Sequence, residues 1–176
     1  TDGADGLTYS FDPATAGVGT HTITYTYTDV NGCTASASDD IEVFALPTVG
    51  FTAPADLCVD AGVLSGLGGG TPPEGTATGD MGVYSGTGVT DDGNGMTYSF
   101  DPATAGVGTH TLTYTYMDEN GCTASTSDDI EVFALPAVSF TAPADLCEDA
   151  GLQAALGGGL PTGGTYSGPG VTDGGD

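Results

Sequence analysis

The chain has 176 residues, 24 of them Asp or Glu and none Lys or Arg, so its formal charge of −24 has no covalent counter-charge. A chain without cations cannot neutralise phosphates, which excludes nucleic-acid binding and docking on anionic membranes. Chemistry that needs a Schiff-base lysine, a P-loop lysine, an arginine clamp or a lysine isopeptide staple is excluded with them. With 31 Gly, 10 Pro and 38% hydrophobic residues, the composition describes a turn-rich chain with a small core. No apolar run approaches the roughly 18 residues of a membrane span, so no membrane insertion is expected.

In chain order, residues 20–28 read THTITYTYT. His21, Ile23, Tyr25 and Tyr27 fall on one side and the threonines on the other, the pattern of a half-buried strand. Residues 29–32 supply a tight turn. Residues 33–44 return with Cys33, Ala35, Ala37, Ile41 and Val43 on one face, which completes a hairpin. Shorter strands are predicted at 49–52, 63–67, 82–86 and 96–100, separated by Gly and Pro clusters. The next hairpin follows at 109–133, and no stretch shows a helical period.

The second hairpin is a copy of the first. Residues 8–58 and 97–147 align without a gap and differ at six positions, which leaves 51 − 6 = 45 identities. The match resumes between Gly82–Gly86 and Gly164–Gly168 at a shorter offset, because the first copy carries seven extra residues. A repeat of about 82–89 residues holding some seven short strands predicts an all-β fold of tandem immunoglobulin-like β-sandwich units. The expected divisions are 1–45, the C-terminal half of one unit; 46–134, a complete unit; and 135–176, the N-terminal half of the next. Such a chain reads as a slice of a longer periodic polymer, or as a subunit whose halves are completed by its neighbours. Ala-Leu-Pro at 45–47 and 134–136 is the expected joint, stiffened by proline.

The four cysteines suit an oxidising, extracellular setting. Cys58 and Cys122 fall within one unit and are the favoured disulfide, with Cys33 and Cys147 pairing outside the segment. A bridge between successive units and a Cys33–Cys58 pair are the competing arrangements. Carboxylates cluster in turns, and Asp91, Asp92 and Asn94, with Asp2, Asp5, Asp173 and Asp176, are candidate calcium ligands, since hard oxygen donors in loops suit that ion. Asp and Asn also favour turns for their own hydrogen bonds, and none of these runs fits a twelve-residue EF-hand loop. Thr22, Thr24, Thr111 and Thr113 are candidate O-glycosylation positions, although threonine is also a favoured residue on exposed strands. His21 and His110 read as packed core residues. No pair of carboxylates, nucleophile elbow or base is placed for catalysis, so the chain is not expected to be an enzyme.

Residues 11–33, FDPATAGVGTHTITYTYTDVNGC, together with GGTYSGPGVTD at 163–173, resemble the tandem immunoglobulin-like repeats of very long bacterial surface and secreted proteins. The resemblance implies an extracellular rod with one cysteine near the start of each unit, Cys58, and another after the Asn-Gly turn, Cys122. The absence of Lys and Arg departs from that family's pattern. The function expected is a structural part of an extracellular bacterial filament, built head to tail from copies of itself, with strands exchanged between subunits as one route. The alternative is the spacer of a calcium-dependent adhesin.

Overall fold

The computed structural model describes residues 7–73 and 81–175. It is an all-β structure in which contacts group the chain into two units, Thr1–Phe133 and Ala134–Asp176.

The first element is a single helical turn, α1 (Pro13–Ala16), which the sequence reading missed. Its signal is local: Asp12 caps the turn by accepting from the Ala14 N–H, Pro13 supplies a preset φ, and Gly17 ends it at φ 83°. The same turn recurs as α2 (Pro102–Ala105), capped by Asp101. Strands β1 (Gly19–Thr28) and β2 (Thr34–Val43) then form the predicted hairpin, antiparallel over ten residue pairs and standing as a two-stranded sheet. At its turn the Asp29 carboxylate accepts from the Asn31 and Cys33 N–H groups, which lowers its pKa, the Cys33 bond contributing most.

Residues 46–133 build the second part of the first unit. Its strands are β3 (Leu57–Cys58), β4 (Leu64–Leu67), β5 (Met81–Ser85), β6 (Val89–Asp91), β7 (Tyr98–Phe100), β8 (Gly108–Met117) and β9 (Thr123–Phe133). One sheet has the order β3-β9-β8-β5 and the other β4-β7-β6. Both contribute to one core of Tyr84, Tyr98, Phe100, Leu112, Tyr114, Tyr116, Ile130 and Val132, with Phe51, Leu64, Leu67 and Val89 packed against it. The alternation predicted for the hairpin is visible here: Leu112, Tyr114 and Tyr116 are buried while the intervening threonines are not. Tyr84 stacks on Tyr98 at 4.6 Å between ring centroids and tilts against Tyr114 at 4.7 Å, adding aromatic contact to burial.

Two glycines let the Tyr114 ring sit so deep. A methyl group on Gly70 would come within 2.6 Å of the ring, and one on Gly82 would collide with its hydroxyl end. The Tyr114 hydroxyl in turn donates to the Pro72 carbonyl at 2.6 Å.

The second unit contains β10 (Ser139–Phe140) and β11 (Gly159–Leu160), paired antiparallel. It repeats contacts made within residues 46–73 and 81–91. The pairing of Ser139 with Leu160 matches that of Gly50 with Thr71. The Tyr166 hydroxyl accepts from the Gly159 N–H as Tyr84 accepts from Gly70, both at 3.0 Å. The Asp173 carboxylate accepts from the Tyr166 N–H as Asp91 accepts from Tyr84. Phe140 packs on Tyr166 with centroids 6.0 Å apart, against 5.8 Å for Phe51 and Tyr84. Ala155 takes a positive φ of 54° where the earlier copy has Gly66 at 68°, a conformation more costly for alanine.

Candidate functional site

The repeat allows each half-unit to be compared with its own sequence in the complete unit. Ile23, Tyr25, Tyr27, Ile41 and Val43 of the first hairpin correspond to Leu112, Tyr114, Tyr116, Ile130 and Val132 of the second. The second set is core; Tyr25 is 60% exposed where Tyr114 is 0%. Ahead of the hairpin, Tyr9 is 66% exposed against 1% for Tyr98. The hairpin holds its own backbone bonds, and among the described residues Tyr9, Ile23, Tyr25, Ala37 and Ile41 line an open groove together with Ser38, Asp39 and Asp40. The second unit shows the reverse side of the same deficit. Val138, Phe140, Leu146 and Leu156 are exposed, in places where Val49, Phe51, Leu57 and Leu67 pack on the core.

Burying a large apolar side chain contributes roughly 1.5–3 kcal/mol. Of the five hairpin residues Tyr25, Tyr27 and Ile41 are exposed and Ile23 and Val43 half-buried, so the exposed three forgo on the order of 5 kcal/mol of gross burial energy among the described residues. Contiguous apolar faces of this kind mark interaction surfaces in proteins.

Both glycines that face Tyr114 recur in the second unit. Gly159 and Gly164 stand where Gly70 and Gly82 stand, at offsets of 159 − 70 = 89 and 164 − 82 = 82. A methyl group on Gly164 would meet nothing within 4 Å, whereas Gly82 is closed off by Tyr114. A methyl group on Gly159 would instead meet the ring of Tyr166, its hydroxyl oxygen at 3.0 Å.

The cysteines are not brought together as the sequence reading favoured. Cys58 pairs with Phe133 at the C-terminal end of β9, and Cys122 immediately precedes the first residue of that strand. A strand rises about 3.3 Å per residue, which puts the two on the order of 35 Å apart, far beyond the ~4.4–6.8 Å Cα separation of a disulfide. All four cysteines are free thiols, with Cys33, Cys58 and Cys147 exposed and Cys122 half-buried.

The candidate calcium ligands serve their own turns. Asp91 accepts from the Tyr84 N–H at 2.6 Å and the Gly93 N–H at 2.7 Å. Asp92 accepts from the Thr97 hydroxyl, and the Asn94 side-chain oxygen from the Met96 and Thr97 N–H groups. Among the described residues no three His, Cys, Asp or Glu side chains converge as a metal site. Asp2, Asp5 and Asp176 lie outside the described residues.

The threonine candidates form cross-strand pairs on the polar face. Thr22 donates to Asp40 and Thr111 to Asp129, both at 2.7 Å, while Thr24 and Thr113 bond Ser38 and Ser127. His21 and His110, half-buried, each bond the carbonyl four residues back, Gly17 or Gly106, at 2.8 Å. Sequence reasoning missed the glycine slot, whose one signal was that both glycines recur in the second copy.

No family model matches the chain, and a search of curated proteins finds no relative that matches it.

Proposed function

We propose that this chain is a structural part of an extracellular filament assembled head to tail from immunoglobulin-like units, with no catalytic role. The single observation that carries the reading is the repeat itself: the core residues of the segment 46–133 recur, nearly unchanged, in the first hairpin and the segment before it, where Tyr9, Tyr25, Tyr27 and Ile41 are exposed. Sheets of order β3-β9-β8-β5 and β4-β7-β6 around one core agree with an immunoglobulin-like sandwich, in which the first strand switches to run parallel beside the last. Extracellular placement is supported by the four cysteines and the uncompensated charge of −24.

Electron microscopy of the wild-type chain, concentrated from dilute solution at physiological salt, tests this. Unbranched filaments with an axial repeat of two sandwich lengths are expected. Particles that stay compact and of one size at every concentration would remove the proposal.

A further inference from the structure

We infer that Asn94 is a self-modifying site. The backbone nitrogen of Gly95 closes on the Asn94 side-chain amide, ammonia leaves, and water opens the resulting ring to aspartate or isoaspartate, while the Asn-Gly pairs at Asn31 and Asn120 stay intact. The reaction needs only water and is independent of any assembly.

Glycine after asparagine favours this cyclisation, because a residue without a Cβ leaves the attacking nitrogen unhindered. Three such pairs occur, Asn31-Gly32, Asn94-Gly95 and Asn120-Gly121. They differ first at the nucleophile. The Gly32 and Gly121 N–H groups donate to the Asp29 and Asp118 carbonyls at 3.0 Å, which ties each nitrogen into its hairpin turn, whereas the Gly95 N–H donates to no group among the described residues. They differ next at the carbonyl under attack. The Asn94 Oδ1 accepts from the Met96 N–H at 2.9 Å and the Thr97 N–H at 2.8 Å. Two fixed donors are thus aimed at the oxygen on which negative charge develops as Cγ becomes tetrahedral. The Asn31 side chain is bonded through its nitrogen instead, to the Asp29 carboxylate.

The leaving group is served as well. The Asn94 Nδ2 donates to the Thr97 Oγ1 at 2.8 Å, and that hydroxyl donates to the Asp92 carboxylate at 2.6 Å. A hydroxyl already in contact with Nδ2 is placed to hand it the proton that turns a poor leaving group into ammonia. As the bond from the Gly95 nitrogen to Cγ forms, the proton on that nitrogen passes to solvent. As the Cγ–Nδ2 bond breaks, Nδ2 takes one proton through Thr97, which regains its own from solvent. One water then adds across either carbonyl–nitrogen bond of the ring, so the sum is asparagine plus water giving a carboxylate plus ammonium. Asn94 is exposed, so water reaches the ring.

The repeat carries an independent sign that the fold accommodates the product. Position 94 corresponds to Asp5, since 94 − 89 = 5, and to Asp176, since 94 + 82 = 176. Conversion to aspartate gives the middle copy the residue that both other copies encode, and adds one negative charge.

Peptide mapping of the folded wild-type chain, aged at neutral pH and body temperature, tests this. A protease that cuts before aspartate cleaves the aspartate form of position 94 and not the isoaspartate form, so mass spectrometry separates the two products. Conversion should run at least about ten-fold faster at Asn94 than at Asn31 or Asn120, and in concentrated urea the three rates should converge. Thr97→Val, which keeps the N–H and removes the hydroxyl, should slow Asn94 about ten-fold, with Thr97→Ser restoring the rate. Circular dichroism matching the wild type shows that both variants are folded. Asn31 or Asn120 keeping pace with Asn94 in the folded chain, or an Asn94 that stays intact while the chain in urea converts, would overturn the inference. A folded Thr97→Val that ages at the wild-type rate would overturn the part given to the hydroxyl.

Discussion

Tyr25 and Tyr114 occupy one sequence position in two copies of the repeat, yet one is 60% exposed and the other fully buried. Replacing each by alanine in dilute, reduced protein isolates the value of the cover. Truncating a buried aromatic costs about 3–5 kcal/mol, and Tyr114 also loses its bond to the Pro72 carbonyl, worth about 1 kcal/mol. A domain of this size has on the order of 4–13 kcal/mol in total, so Tyr114→Ala should shift the urea midpoint far down or leave the unit unfolded. Tyr114→Phe removes only the hydroxyl and should lose about 1 kcal/mol. Tyr25→Ala and Tyr25→Phe should each stay within about 0.5 kcal/mol of the wild type, as surface substitutions do. Urea unfolding followed by tyrosine fluorescence reads all four. Equal losses at the two positions would show that the first hairpin is covered within its own chain, and the reasoning from exposure would fail.

Burial, and secondly the neighbouring Tyr84, pushes the Tyr98 phenol from 10.0 up to about 12, and its hydroxyl has no hydrogen-bond partner among the described residues. Because the folded pKa lies above the unfolded one, the neutral group's contribution is complete below pH 10 and is lost as pH rises towards 12. The urea midpoint should be flat below pH 10 and fall above it, with a shallower fall in Tyr98→Phe; identical slopes would contradict the assignment. Gly70→Val should cost about 3 kcal/mol by driving a side chain into the Tyr114 ring, measured by thermal unfolding. The melting temperature should rise with sodium chloride, as screening relieves repulsion in a chain of charge −24. Calcium at matched ionic strength should add nothing further, because Asp91 and Asp92 are engaged in their turns; a saturable extra step would refute that.

The alternation of THTITYTYT made β1 and β8 legible, because a two-residue period with aromatics on one side has few other solutions. The self-similarity likewise made the recurrence of the hairpin legible without any coordinates. The short elements were not: β3 has two residues and is defined by its partner β9, a pairing that no local pattern encodes. The helical turns α1 and α2 were readable in Asp-Pro-Ala-Thr-Ala, where a cap precedes a proline, but one turn is too short to show a period. The cysteine pairing depended on which end of β9 each residue reaches, and the glycine slot on how closely a ring approaches. Both are facts of tertiary register.

The polar face of each hairpin has a further effect on how such material would grow. Asp40 and Glu42 lie opposite the threonines of β1, and Asp129 and Glu131 opposite those of β8, with no Lys or Arg in the chain to answer them. Two threads laid side by side would set carboxylate against carboxylate over their whole contour, a repulsion that accumulates with length, whereas tip-to-tip joining buries apolar rings at one spot. In the proposed filament, charge would thus favour elongation over thickening, and the salt around the threads would govern whether they bundle.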